Sequence, residues 1–256
     1  MDLTGKSIVL TGGTRGIGES TALLLDERGA KVVITGRDEI KGKEVENRAK
    51  NHNVTFVKVD LENREEALRF GNWIYKDLSS LDVLINNASR NSMYNIDTVT
   101  FQEWDKVIQL NLTSPFILSK YSAKKMIENH VKGKIINVSA VQSFFPLKNS
   151  FAYVTSKGGL VSMTKSLAAD LGKYEISAIC VLPGPIYNKG DQPPKSYDSR
   201  SAALLGRMGR VREVANLLTF LSSDEAGFMT GNTIVIDGGR TISRLPDPEE
   251  ISSGEY

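Results

Sequence analysis

The run Thr11-Gly12-Gly13-Thr14-Arg15-Gly16-Ile17-Gly18 follows directly on the apolar, β-branched stretch 7–11, and Gly18 opens a segment with apolar residues at three-to-four spacing. A strand, a glycine turn and a helix start in that order leave few folds open. Glycines admit a tight turn and let the backbone approach a ligand, while unpaired N–H groups and the dipole at a helix start favour negative charge. A pyrophosphate suits that chemistry; the plainer alternative is a glycine turn needed only for close packing. The spacing is G-x-x-x-G-x-G, a variant of the commoner G-x-G-x-x-G.

The remainder of the chain repeats the alternation. Apolar β-branched runs at 7–11, 31–35, 54–59, 81–85, 134–138, 176–182 and 233–236 read as seven strands. Helical periodicity occupies 18–27, 39–50, 64–76, 101–129, 152–171 and 213–221. Strands that are apolar on both sides and separated by helices predict an α/β fold, a doubly wound parallel sheet with helices on both faces. Neither an internal repeat nor a Gly/Ser linker divides the 256 residues, so one Rossmann-type domain is expected over 1–240. The polar stretch 187–210, with Pro193-Pro194, is a lid candidate over the substrate site, and 241–256, with Pro246 and Pro248, is a tail.

Composition removes several functions. With 40% hydrophobic and 24% charged residues the chain is neither disordered nor fibrous. A net charge of +2 supplies no global field for nucleic acid or an anionic membrane. Cys180 has no second cysteine to pair with, and His52 and His130 lack metal-ligand spacing. The expectation is a cytoplasmic, metal-free protein with no membrane span and no targeting segment.

The glycine variant with its leading Thr resembles the short-chain dehydrogenase/reductase superfamily, and the resemblance continues in order along roughly residues 4–240. Asn86-Asn87-Ala88 follows the fourth strand, Asn111 lies in the long helical pattern, Tyr153-Val154-Thr155-Ser156-Lys157 starts another helix, and Pro183-Gly184-Pro185-Ile186 and Asp237-Gly238-Gly239 close the last two strands. The resemblance implies a nicotinamide cofactor over Gly12, Thr14, Arg15, Gly16, Ile17 and Gly18. Asp60 and Leu61 would flank the adenine, and Asn87, Ala88 and Ser89 would lie under the cofactor, with Ser89 where the family usually has glycine. Pro183, Gly184, Ile186, Tyr153 and Lys157 would complete its site. After the second strand, where an acidic residue would accept the ribose hydroxyls of NAD, stand Gly36 and Arg37. An arginine fork holds a phosphate and accepts nothing, so Arg37 points to NADP(H), aided by Arg15. A solvated helix-start arginine is the alternative.

Tyr153 and Lys157 are four apart and share a helix face. An ammonium beside a phenol favours the phenolate, so Lys157 is expected to lower the Tyr153 pKa and let it exchange a proton with a substrate oxygen while hydride moves. By resemblance, Lys157 also binds the nicotinamide ribose and Asn111 orders a water for a proton relay. Ser139 is the nearest candidate for the family's catalytic serine but stands fourteen residues before Tyr153, one more than usual. The usual position is Ala140. Alternation along a strand leaves the direction of Ser139 open, with Gln142 and Ser143 as substitute donors.

A branch of the same superfamily, the 2,4-dienoyl-CoA and trans-2-enoyl-CoA reductases, also lacks that serine. It is similar at Pro183–Ile186 and Thr35-Gly36-Arg37, while Tyr153 speaks against it. Gln142, Asn149 and Tyr187 are expected at the substrate, with Arg90, Asn91 and Ile186 nearby. Phe144, Phe145 and Phe151 suit either an acyl chain or the core. The basic residues Lys189, Lys195, Arg200, Arg207, Arg210 and Arg212, against Asp191 and Asp198, suit either a phosphate-bearing CoA arm or a solvated face.

The leading expectation is an NADP(H)-dependent oxidoreductase acting between a carbonyl and a secondary alcohol with Tyr153 as acid/base. Its substrate would be a small carbonyl or alcohol, or an acyl thioester. The alternatives are an NADPH-dependent enoyl- or 2,4-dienoyl-CoA reductase and a non-catalytic NADP-binding sensor or scaffold. Resemblance further implies a homotetramer.

Overall fold

Seven runs of aliphatic residues, unable to satisfy their backbones singly, pair into one sheet. In the computed structural model, which describes residues 1–188 and 203–243, the strands are β1 (Ser7–Thr11), β2 (Lys31–Gly36), β3 (Val54–Lys58), β4 (Val83–Asn86), β5 (Lys134–Val138), β6 (Ser177–Pro183) and, last in the chain, β9 (Thr233–Ile236). All pair in parallel in the order β3-β2-β1-β4-β5-β6-β9. The helices are α1 (Gly16–Glu27), α2 (Glu39–Arg48), α3 (Arg64–Lys76), α4 (Phe101–Ile108), α5 (Ser114–Glu128), α6 (Phe151–Leu171) and α7 (Val211–Ser222). The expected single-domain, doubly wound fold is what forms.

Period-two alternation divides the sheet's side chains between two cores. Ile8, Leu10, Ile34, Ile85, Ile136 and Val181 pack with Ala22 and Leu25 of α1 and Val214, Leu218 and Leu221 of α7. On the other face Val9, Leu84 and Ile135 pack with Phe70 and Ile74 of α3 and Leu118 and Met126 of α5. Helix starts are fixed by side-chain caps: Asp38 accepts from Lys41 N at 3.1 Å, Asn63 from Glu65 N at 2.9 Å, and Thr100 from Glu103 N at 3.1 Å. Each such cap stabilises by about 1 kcal/mol.

Two features depart from expectation. The single helix anticipated over 101–129 is α4 and α5 joined by a π-helical turn, Gln109–Thr113, with Asn111 buried at its centre. A π turn accommodates an extra residue without breaking the helix, and such turns are frequent at functional sites. A short parallel pair, β7 (Ile186–Tyr187) with β8 (Gly209–Arg210), also anchors the two described ends of the anticipated lid. The lid's Lys189, Asp191, Lys195, Asp198 and Arg200 and the tail beyond residue 243 lie outside the described residues. Among the described residues no helix is long and apolar enough to cross a membrane, and no His/Cys/Asp/Glu group could hold a metal.

Candidate active site

The sheet grows outward in opposite directions from β1 and β4, which leaves a crevice at their carboxyl ends. Thr11 and Asn87 stitch that crevice together. Thr11 Oγ1 accepts from Asn87 N and Ala88 N, both at 3.0 Å, and Asn87 Nδ2 donates to Thr11 O at 3.0 Å and Gly12 O at 3.1 Å. Gly12 and Gly18 above it have no room for side chains. A Cβ on Gly12 would lie 2.8 Å from Ala88 Cα, and one on Gly18 2.0 Å from Gly12 O. Gly12 and Gly16 also sit at φ of 68° and 58°, the left-handed region that glycine enters without strain.

A groove of about 870 Å³ runs over this cradle, lined by Gly12, Thr14, Arg15, Gly16, Ile17, Gly18, Arg37, Asp60, Leu61, Asn87, Ala88, Ser89 and Ile186. Those residues were all expected at the cofactor. Pro183, Gly184, Tyr153 and Lys157, also expected there, are not among its lining residues. Gly184 N instead donates to Ile236 O at 2.9 Å, and a Cβ there would meet Asp237 Cβ at 2.6 Å, so close packing accounts for this glycine. Sequence reading missed Lys41, which lines the groove four residues past Arg37, in the first turn of α2. Asp60 Oδ1 accepts from Glu62 N at 2.9 Å, while Asn63 caps α3. Arg15, Arg37 and Lys41 bring three cationic side chains to the lining of the groove. A bare cradle at a helix start, a long groove and those cations fit a nicotinamide dinucleotide.

Tyr153 and Lys157 project from the first turns of α6. Lys157 is buried, and its Nζ donates to Val138 O at 2.9 Å and lies 5.7 Å from the Tyr153 ring centroid. Burial pulls the ammonium down to about 8 and pushes the Tyr153 phenol up to about 12. The anticipated lowering of the tyrosine is therefore not present. The lysine nitrogen faces the ring rather than forming a hydrogen bond to the phenolic oxygen, and loss of hydration dominates.

Ser139 donates its hydroxyl proton to Lys157 O at 2.8 Å, and its N–H to Val181 O at 2.8 Å. This corrects the expectation of a hydroxyl presented to substrate: Ser139 braces the backbone of Lys157. Ala140, on extended backbone, alternates to the other side. The Ser143 hydroxyl is likewise directed to Ala140 O at 2.8 Å. Asn111 ties three segments together, accepting from Arg90 N at 2.8 Å and donating to Arg90 O at 2.9 Å and Ser156 Oγ at 3.0 Å.

Gln142, Phe144, Phe145, Pro185 and Arg240 help line a second cleft of about 310 Å³. The two phenylalanines are each 54% exposed, so they are rim residues rather than core. Asn149 has a backbone explanation, a left-handed φ of 57° that asparagine tolerates, and Tyr187 lies in β7. Arg90, expected toward substrate, instead grips Glu103 with two nitrogens at 3.1 and 3.0 Å. Arg207 and Arg212 are paired with Glu213 and Glu27, which diminishes the anticipated basic dock.

A parallel sheet whose switch point carries a cradle of bare glycines is a dinucleotide-binding architecture. Comparison narrows the class: the chain belongs to the short-chain dehydrogenase/reductase family, with the family description Enoyl-(Acyl carrier protein) reductase matching residues 12–241. It is thus an oxidoreductase of a family that works with nicotinamide cofactors. It is 37% identical over 256 residues to an uncharacterized oxidoreductase of Thermotoga maritima, covering 95% of this chain and 98% of that one. It is 37% identical over 244 residues to the 3-oxoacyl-[acyl-carrier-protein] reductase FabG of Rickettsia felis, covering 93% and 98%. Among solved structures, acetoin dehydrogenase YohF from Salmonella typhimurium superposes with a TM-score of 0.86 at 28% identity, covering 95% of this chain and 99% of that one.

Proposed function

We propose that the protein is an NADP(H)-dependent oxidoreductase that reduces a carbonyl to a secondary alcohol, with Tyr153 as the proton donor. The observation carrying this reading is the pair on α6: a phenol held neutral by loss of hydration, beside a buried lysine that is itself anchored to the end of β5. A neutral phenol is ready to give a proton to a developing alkoxide. Lys157 holds positive charge below about pH 8 and steadies the oxygen that Tyr153 leaves behind. The bound nicotinamide would supply or receive the hydride. Gly12, Gly16 and Gly18 would hold its pyrophosphate, Asp60 and Leu61 its adenine, and Arg37 with Arg15 and Lys41 its 2′-phosphate. Asn111 keeps the 89–90 loop and Ser156 in register, and Gln142 offers an amide to substrate.

A second reading rests on Ala140. With no hydroxyl at the family's serine position, a conjugated enoyl thioester remains a candidate, in keeping with the matching family description and the exposed Phe144 and Phe145. The same overall reading takes the protein as a cytoplasmic homo-oligomer. An apolar groove between α5 and α6, with Phe116, Ala123, Ile127 and Leu167, supports contact with a second copy. Initial rates of NADPH oxidation with ketones, β-ketoacyl thioesters and enoyl thioesters test the assignment. Ketone or β-ketoacyl turnover supports it, and turnover of enoyl thioesters alone moves the protein to the second reading. NADPH binding without turnover of any of them would make it a sensor or scaffold.

A further inference from the structure

One of the chain's own carboxylates already occupies the cation that the proposed function reserves for a phosphate. Glu62 follows Asp60-Leu61 beyond β3, its side chain is 13% exposed, and its Oε1 lies 3.2 Å from Arg37 Nη1 and 3.4 Å from Arg90 Nη1. Arg90 does not depend on this contact, because Glu103 takes two of its nitrogens. Arg37 does. Its side chain is 59% exposed and Glu62 is its ion-pair partner among the described residues.

A carboxylate and a 2′-phosphate want the same planar fork, and both are anions. A phosphate arriving at Arg37 must share the guanidinium with Glu62 at the cost of like-charge repulsion, or displace it. Ribose hydroxyls carry no charge and face neither penalty. Displacement has a ready destination, since the same Glu62 oxygen already reaches Arg90. We propose that Glu62 is a specificity-determining residue, an internal anion that competes for Arg37 and tempers the preference for NADP(H) over NAD(H). This rests on the reading of Arg37 as the phosphate clamp.

The test titrates the intact protein with NADPH and NADH, following nicotinamide fluorescence, and with 2′-AMP by calorimetry. Glu62→Gln keeps the shape and removes the charge; Glu62→Asp keeps the charge and shortens the reach. Glu62→Gln is expected to tighten NADPH and 2′-AMP about fivefold, the size of an exposed ion pair, with the gain shrinking in high salt. NADH should stay within about twofold, and Glu62→Asp should fall between wild type and Glu62→Gln. An unchanged or weakened NADPH affinity in Glu62→Gln, or an equal gain for both cofactors, overturns the proposal. Arg37→Ala separates the two levels. If it weakens NADPH while Glu62→Gln does nothing, only the competition fails; if it leaves NADPH unchanged, the clamp reading falls and the proposal with it.

Discussion

Lys157 Nζ lies 5.7 Å from the centroid of the Tyr153 ring while donating to the Val138 carbonyl at 2.9 Å. Ser139 fixes the same lysine from behind through Lys157 O. The lysine is therefore anchored to the end of β5 by backbone and side chain together, and the tyrosine one turn earlier on α6 inherits that placement.

Replacing Tyr153 by Phe removes the transferable proton and little else, because the ring stays. Turnover is expected to fall by about 10²–10⁴-fold, the usual worth of a positioned general acid. The dissociation constant for NADPH should be nearly unchanged. Steady-state kinetics and a fluorescence titration check the two halves, and full activity in Tyr153→Phe removes the proposed role.

Lys157 and Tyr153 give a pH signature. Reduction needs the neutral phenol, present up to about pH 12, and the ammonium, lost above about pH 8, so reductive kcat/KM should decline as pH rises through 8. Stability moves the other way over the next window. Lys157 titrates near 8 when folded and at its ordinary 10.5 when unfolded, so the unfolded chain binds more protons between those values and this group's contribution to stability rises with pH. Tyr153, raised from 10.0 to about 12, reverses the sign between those two values. A flat kcat/KM from pH 7 to 10 would contradict the assignment of Lys157.

Two glycines should respond in opposite ways to Ala. At Gly18 the new methyl meets Gly12 O at 2.0 Å, so Gly18→Ala is expected to cost about 1–3 kcal/mol of stability and most of the cofactor affinity. At Gly158, inside α6, a Cβ meets nothing within 4 Å, and Gly158→Ala should stabilise by about 1 kcal/mol. Thermal melts with and without NADPH separate these outcomes.

The glycine turn and the seven strands were legible because each rests on local chemistry: a helix start that needs bare glycines, and aliphatic runs buried on both faces. The groove-lining residues beyond the glycine turn came from the family resemblance, and they stand at strand ends, where parallel α/β sheets open. What stayed hidden depends on which side chains the fold brings together. Glu62 reaches Arg37 and Arg90, Glu103 captures Arg90, and Glu213 captures Arg207. The π turn at Asn111 was hidden for another reason, because one extra residue hardly alters a helical hydrophobic pattern. The direction of Ser139 was left undecided by alternation alone and is settled by its bond to Lys157 O.

Ser139→Ala removes the side-chain donor to the Lys157 carbonyl, which as a mid-helix carbonyl keeps a backbone partner, so the loss is about 0.5–1.5 kcal/mol in stability, with turnover per folded molecule within about threefold of wild type. Ala140→Ser puts a hydroxyl at the position the family uses, and carbonyl turnover should rise. Denaturant melts and active-site-normalised rates check both. A large kcat loss in Ser139→Ala with unchanged stability would return that serine to the chemistry.

The most direct measurement is the initial rate of NADPH and NADH oxidation with a ketone and β-ketoacyl thioester panel, run on the wild type beside Tyr153→Phe. The account predicts carbonyl turnover that favours NADPH and collapses in the variant. Turnover confined to enoyl thioesters, a strong preference for NADH, or carbonyl turnover surviving in Tyr153→Phe would contradict it.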